Sequence, residues 1–528
     1  MPATSPHVRI LEPDSPPRAI HYGEDFLYEP FPAGTRAIYP KPPMKPIPDV
    51  EAAIRDAINQ PEGDEAPLYA RLEPGMKVTI AVDDISVPLP PMKTPDVRQQ
   101  MLEVVLELLG KHGVEDVDIP IALALHRRMN EDEIERMVGS EIFGEYYPDR
   151  LYNMDAEDDA NMAELGETEH GEEVEVVKRV AESDLLIYLN INFVPMNGGY
   201  KSIGTGLSGY RSIRHHHNPE TILDSDSYMD PPNSALYEKN KRIGKKLKEH
   251  VDVFHVETVL NNKMFDDRMD FLHQPEDEWS NADRMKFKTA KWSLEQMPRT
   301  AKRKVLHSIP ADYGVIGVAA GDTEPAHEAT LEKSWQQYAV EVEGQSDIVA
   351  YGIPFISPYN VNSIMNPLLV RVMALGYFFN MYRGRPLIRE GGTLIVAHPC
   401  YDEFDTDHHP SYVEFFNRCL RETRDSQELA ETFEEEFANH PNYVQQYREE
   451  NAYHGVHPFY MWYWCENGAD HIGRVIVVGA ENDHVPERFG WETAPTMQKA
   501  LKMARREHGS DADISLVQHP PAVVTDVK

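Results

Sequence analysis

KVTIAVDD (Lys77–Asp84), TPDVRQQMLEVVLELLGKHG (Thr94–Gly113) and DVDIPIALALH (Asp116–His126) read as strand, helix, strand. The first and third are short, β-rich apolar runs. The middle one carries apolar residues at helical spacing, with Thr94 placed to cap it and Gly113 at its stop. NEDEIERMVGSEIF then reads as a helix capped by Asn130, and EVEVVKRV and DLLIYLNINFV as two more strands. Strand–helix alternation of this kind implies βαβ units and a largely parallel sheet. A helical, charged stretch from about Asn233 to Lys304 reads as a connector, after which the alternation restarts at YGVIGVAAG and runs through DIVAYGIP, GTLIVAHPC, RVIVVGA and DISLVQHP. The expected fold class is therefore α/β, with two α/β domains of mostly parallel sheet joined by helices and a cleft between them. Residues 1–70 are proline-rich and predict an extended arm packed over the surface, or a partly disordered one, since proline continues neither helices nor inner strands. The expected division is 1–70 arm, 71–300 first domain with its helical connector, and 301–528 second domain.

Composition narrows the classes. The 528 residues carry 88 acidic and 52 basic side chains, a formal net charge of −36. That argues against a nucleic-acid partner and against an anionic membrane surface. Three cysteines without C-x-x-C spacing predict no disulfide framework and a reducing compartment. The N-terminal segment has no apolar signal region, so a cytoplasmic location is expected. The sequence leaves the oligomeric state open.

Just past the strand DLLIYLNINFV comes NGGYKSIGTGLSGYRSIRHHHNPE (Asn197–Glu220), where glycines, Lys201, two arginines and three consecutive histidines crowd together. Ligands of open α/β sheets bind at the carboxyl ends of strands, so position alone nominates this stretch as a site. Gly204-Thr-Gly206-Leu-Ser-Gly209 matches G-x-G-x-x-G, but a dinucleotide fingerprint needs that spacing inside a tight strand-to-helix turn. Here Gly204 lies ten positions after Val194. The glycines still offer backbone N–H groups to a phosphate. Lys201, set between Gly199 and Gly204, suits a phosphate or carboxylate partner, and the histidines suit either a metal or a solvated basic turn.

GGYKSIGTGLSGYRSIRHHH resembles the segment of the lactate racemase family, the nickel-pincer-nucleotide enzymes, that reads Gly-Gly-Arg-Lys-Ser-Ile, then Pro-Gly, then a histidine. In that family the lysine is bonded through a thioamide to the pyridinium ring of the cofactor. A histidine sixteen residues later completes the nickel coordination; Lys201 and His217 stand sixteen apart. AVDDISVP resembles the family's Asp-x-Thr-Arg-Pro element, IALALHRR its strand ending in a catalytic histidine, here His126, and the run from Asp158 to Ile187 its hairpin and strand before the lysine. The resemblance covers about Lys77 to Asn262, and the second domain only in pattern. It implies Lys201 as covalent attachment point, His217 as metal ligand, His126 as base and Asp84 as its orienter or a cofactor contact. Ser86, Gly198, Gly199, Ser202 and Gly206 are the further cofactor contacts it implies, and cofactor-biosynthesis enzymes are the implied partners.

This chain departs from the family at two places. Val87 replaces the arginine before Pro88, and Ile191, next to Asn192, replaces a second catalytic histidine. Valine cannot grip a carboxylate bidentately as arginine does. These losses point away from lactate and towards a larger hydroxy acid or a sugar, with Asn192, Asn360, Asn362 and Asn366 as candidate polar contacts. DEFDTDHHP (Asp402–Pro410) reads as acidic capping of a helix or a cation site, and FYMWYWC (Phe459–Cys465) as aromatic core or a sugar-stacking surface. The expected function is a nickel-pincer-dependent racemase or epimerase. The alternatives are a cofactor-binding relative without catalysis and a nicotinamide-dependent oxidoreductase using the glycine motif.

Overall fold

The computed structural model describes residues 5–86 and 90–528. Its first sheet has six strands in the order Val315–Gly321, Asp252–Leu260, Leu185–Asn192, Lys77–Asp83, Asp116–Ala122, Leu151–Asn153. All neighbours run parallel except Val315–Gly321, which closes one edge antiparallel to Asp252–Leu260. Leu185–Asn192 is buried along its whole length, as a central parallel strand covered on both faces must be. A second sheet of seven strands runs Val8–Ile10, Arg36–Ile38, Ile514–Val517, Ser346–Gly352, Ile388–Ala397, Arg474–Val478, Glu492–Ala494. It too is parallel apart from its outermost pair. The mixed α/β class with mostly parallel sheets is as expected. One continuous apolar cluster links Ile80, Val82 and Ile187 of the first sheet to Tyr351, Phe355 and Leu369 beside the second.

Four sequence expectations need correction. The proline-rich arm is not an overlay: Val8–Ile10 and Arg36–Ile38 extend the second sheet, Arg18–Tyr22 pairs with Asp25–Glu29, and Asp49 caps a helix over Val50–Asn59. The prolines fall between these proline-free runs, where they cost no ladder bond. The supposed helical connector contains Asp252–Leu260, a strand of the first sheet, in which DVFHVETVL is buried from its second residue on. YGVIGVAAG, assigned from sequence to the second domain, is the edge strand of the first sheet. Finally, Asp96 rather than Thr94 caps the helix Val97–Lys111, its carboxylate accepting the Arg98 N–H. Asn130 does cap its helix, in a reciprocal box with Glu133. No helix among the described residues is long and apolar enough to cross a membrane.

Candidate active site

Three strands of the first sheet deliver their carboxyl ends to one pocket: Lys77–Asp83 brings Asp83, Asp84 and Ser86, Asp116–Ala122 brings Ala124 and His126, and Leu185–Asn192 leads to Gly198 and Lys201. The opposite wall comes from Tyr359, Tyr377 and Trp464, which lie in segments packed on the second sheet. The empty space is about 930 Å³, part of it open to solvent.

Asp84 and His126 form a pair. The His126 Nδ1 lies 2.9 Å from an Asp84 carboxylate oxygen, and the Ser86 N–H and hydroxyl donate to the same carboxylate at 3.0 and 2.8 Å. Burial alone would raise the Asp84 carboxyl, but His126 and these hydrogen bonds outweigh it and hold it below the ordinary carboxylate value. An ionised Asp84 fixes the proton on Nδ1 and leaves Nε2 as the ring's acceptor. Arg98, held bidentately by Asp96, donates to the Asp84 carbonyl and so sets the turn that carries the pair. Around His126 the rings of Tyr359, His457 and Tyr453 stand edge-on, with centroids at 5.4, 5.6 and 6.0 Å.

Lys201 ends a short helix, Gly199–Lys201, that continues as a widened π-type turn over Ser202–Gly206. Such widened turns recur at functional sites. Two features hold this helix in place. The Ala124 N–H donates to the Gly206 carbonyl at 3.1 Å, tying it to the His126 segment. On its far side the fully buried Glu257 accepts the Gly199 N–H at 2.6 Å, the Thr330 hydroxyl at 2.7 Å and a contact from His327 Nδ1 at 3.1 Å. Gly198 and Gly199 have φ of 99° and 58°, and a Cβ on either would stand 2.7 Å from the His327 ring. Only glycine meets both demands. Burial pushes the Lys201 amine below its ordinary value, with Asp83 and Asp84 opposing.

His217 reaches the pocket from the following turn. Its ring stacks on Trp464 at 5.0 Å and 25°, and its Nδ1 lies 2.6 Å from the Nδ1 of His216. Burial, then the neighbouring His216 and Lys201, hold His217 well below the ordinary histidine value, so the ring is neutral and keeps a lone pair for a metal. Of its neighbours, His215 turns to Glu173 at 3.4 Å and His216 is wholly buried; neither lines the pocket.

Of the residues nominated from sequence, Asp84, Ser86, His126, Gly198, Lys201, Ser202, Gly206 and His217 line this one pocket. Gly199 does not; it packs on His327 and Glu257. The asparagines are also elsewhere. Asn192 faces Thr330 at 3.4 Å, Asn360 ties its own loop through Ser357 and Phe355, and Asn366 caps the helix from Pro367. Asn362 donates to Glu133 and lines a neighbouring cavity. Asn360 is spent on its own loop and Asn366 on its helix cap, as asparagines in turns commonly are. Val87 lies outside the described residues. GTGLSG forms no strand-to-helix phosphate turn: Gly204 is packed against Asn240, Gly206 against Tyr188, and Gly209 against Glu175. In DEFDTDHHP, Asp405 accepts backbone N–H groups from Asp407 and His408, and the helix from Pro410 has no side-chain cap. Among the described residues no group of three His, Cys, Asp or Glu is placed to hold a metal.

The sequence reading does not nominate Asp83, Tyr359 and Tyr377 of this pocket, nor His457 beside His126. The doublet Asp83-Asp84 at a strand's carboxyl end is a legible signal for the first, and Trp464 belongs to the run FYMWYWC read as aromatic core or a stacking surface; Tyr359 and Tyr377 come from distant sequence and give none. Asp83 accepts from Tyr188, Asn190 and the Ile191 N–H at 3.1, 2.7 and 2.9 Å. Burial nonetheless raises its carboxyl to about 6. A folded value above the unfolded one of about 3.9 favours the protonated form. Its stabilisation is complete below about pH 4 and lost as pH rises through about 6. Melting curves of wild type and Asp83→Asn, compared from pH 4 to 7, should therefore show the wild type losing ground relative to the variant as pH rises. A constant difference would refute the assignment.

The lactate racemase N-terminal domain family matches residues 22–230. Among curated proteins none matches. Among solved structures, the lactate racemase apoprotein from Thermoanaerobacterium thermosaccharolyticum superposes with a TM-score of 0.63 at 18% identity, covering 96% of this chain and 99% of that one. A Thermotoga maritima protein superposes with a TM-score of 0.51 at 14% identity, covering 92% and 100%. At these identities the likeness is one of fold.

Proposed function

We propose, from the match of residues 22–230 to the lactate racemase N-terminal domain family, that this chain is a racemase or epimerase of a hydroxy acid or related secondary alcohol that works with a nickel-pincer nucleotide. One observation carries the reading: Lys201, His217 and the His126–Asp84 pair line a single pocket.

The residues fit such a group. A metal already held by three donors of an organic ligand needs one imidazole from the protein, and the pocket offers His217 with its ring neutral and oriented. A lysine amine lowered by burial is a better nucleophile for covalent attachment than an exposed one. The hydroxyls of Ser86, Ser202 and Thr205 would contact its polar periphery. When bound, the group supplies a ring able to take a hydride from the substrate's carbinol carbon and return it.

The chain's own part is proton handling and enclosure. His126 takes the hydroxyl proton on Nε2 as the carbinol becomes a carbonyl, and gives it back on return. Asp84 holds the ring's tautomer and stabilises its charged form. Because that proton belongs to the oxygen, one base serves both faces if the oxygen stays on His126 while the carbon turns. The loss of a second histidine at Ile191 is then compatible with inversion. Tyr359, Tyr377 and Trp464 wall the site from bulk water.

His217→Ala should lose most bound nickel while keeping the organic adduct on Lys201, as read by metal analysis and intact mass on one sample. Loss of nickel from His216→Ala but not from His217→Ala would contradict the ligand assignment. Chiral chromatography of products from a hydroxy-acid and sugar panel tests the reaction itself, inversion at one carbinol centre being the expected result.

A further inference from the structure

Behind Ile191 lies a second chamber with about 790 Å³ of empty space, part of it solvent-open, and Ile191 lines both this chamber and the first pocket. Its apolar walls are Ile85, Met92, Met137, Phe193 and Leu260. The charged groups on its walls are mostly engaged already. Arg98 is held by Asp96 at 2.9 and 2.7 Å, and Glu133 by Arg127 at 2.9 and 2.7 Å and by Asn362 at 2.8 Å. The exposed Arg136 stands at the rim. One polar atom is different. The Tyr313 hydroxyl is buried and has no hydrogen-bond partner among the described residues, which leaves the cost of its desolvation unanswered.

We propose that this chamber is a substrate subsite that receives an apolar arm passing over Ile191 from the reacting carbon, with an oxygen on the arm answering the Tyr313 hydroxyl. A polyhydroxylated arm would need a partner for each hydroxyl, and the walls offer too few free ones. An alkyl or aryl arm needs only removal from water, which the walls supply. Isoleucine at 191 fits this role: a histidine there would put a polar ring at the entrance, whereas isoleucine continues the apolar wall from one space into the other. The substrate class is thus narrowed to 2-hydroxy acids or secondary alcohols with an extended apolar arm. The inference rests on the first pocket being the reaction site.

The test is isothermal titration of the purified protein, with and without the Lys201 adduct, using 2-hydroxybutyrate and 2-hydroxyoctanoate, whose plain alkyl arm reads the apolar walls apart from the Tyr313 contact. Each buried methylene is worth about fourfold, so the longer acid should bind on the order of 10²-fold tighter. Met137→Trp, which fills the chamber, should reduce that ratio to below about tenfold while leaving 2-hydroxybutyrate binding unchanged. Ile85→Trp at the half-buried rim serves the same purpose if Met137→Trp does not fold. Equal affinities for the two acids, binding of neither, or an undiminished ratio in a folded filled variant would each overturn the proposal. The adduct mass is read on the same samples. A missing adduct with the chain-length effect intact would count against the cofactor reading and not against the subsite.

Discussion

His126→Ala is expected to slow turnover by about 10²–10⁴-fold, the usual worth of a positioned general base, with the cofactor still attached and nickel still bound. His126 touches neither attachment point: it sits on Asp84 at 2.9 Å, at the end of a different strand from the one leading to Lys201. His126→Gln should not rescue the rate, because an amide can accept a hydrogen bond but cannot carry a proton away. Asp84→Asn should cost less than loss of the ring. It leaves the base in place but removes the charge that fixes its tautomer. Near-wild-type turnover of His126→Ala on the true substrate would contradict the assignment and move the role to Asp83 or His457, both close by. His398 is not a substitute, since its Nδ1 accepts the Cys400 N–H and it lies outside the pocket.

Lys201→Ala should abolish covalent attachment altogether, and with it all turnover, while the protein stays folded. The side chain ends in the pocket and not in the apolar core, so its removal opens no sealed cavity. The helix that carries it is held independently by Glu257 and by the Ala124–Gly206 hydrogen bond. An undiminished adduct mass in the variant would place the attachment elsewhere. Lys201→Arg should fail equally, because a guanidinium stays protonated and cannot supply the nucleophile.

Much of this site was legible because its chemistry is concentrated in short segments at strand ends. The Asp84 doublet and His126 each lie within four residues of a strand's end, the Lys201–His217 spacing lies in the segment that follows a third strand, and the fold brings those strands side by side. What sequence could not give were contributions that depend on distant segments meeting. Trp464 was one aromatic among many in a buried run, and only the packing of His217 on its face separates it from Phe459 or Tyr463. Glu257 lay inside a stretch read as charged helix, and its buried hydrogen bonds to Gly199 and Thr330 follow from a strand that the charge pattern hid. The asparagines near position 360 failed for the opposite reason. Amide side chains were read as available to a ligand, whereas the loops that carry them spend those amides on their own backbone or on Glu133.

A nickel-pincer nucleotide fixed to Lys201 and completed by His217 would be read out by intact-mass measurement with peptide mapping. The wild-type chain would be produced together with the cofactor-making enzymes, and metal analysis would be run on the same preparation. The expected result is a single adduct mapping to Lys201, with nickel bound in equal amount. An unmodified chain without nickel, under conditions that fully load a lactate racemase, would contradict it.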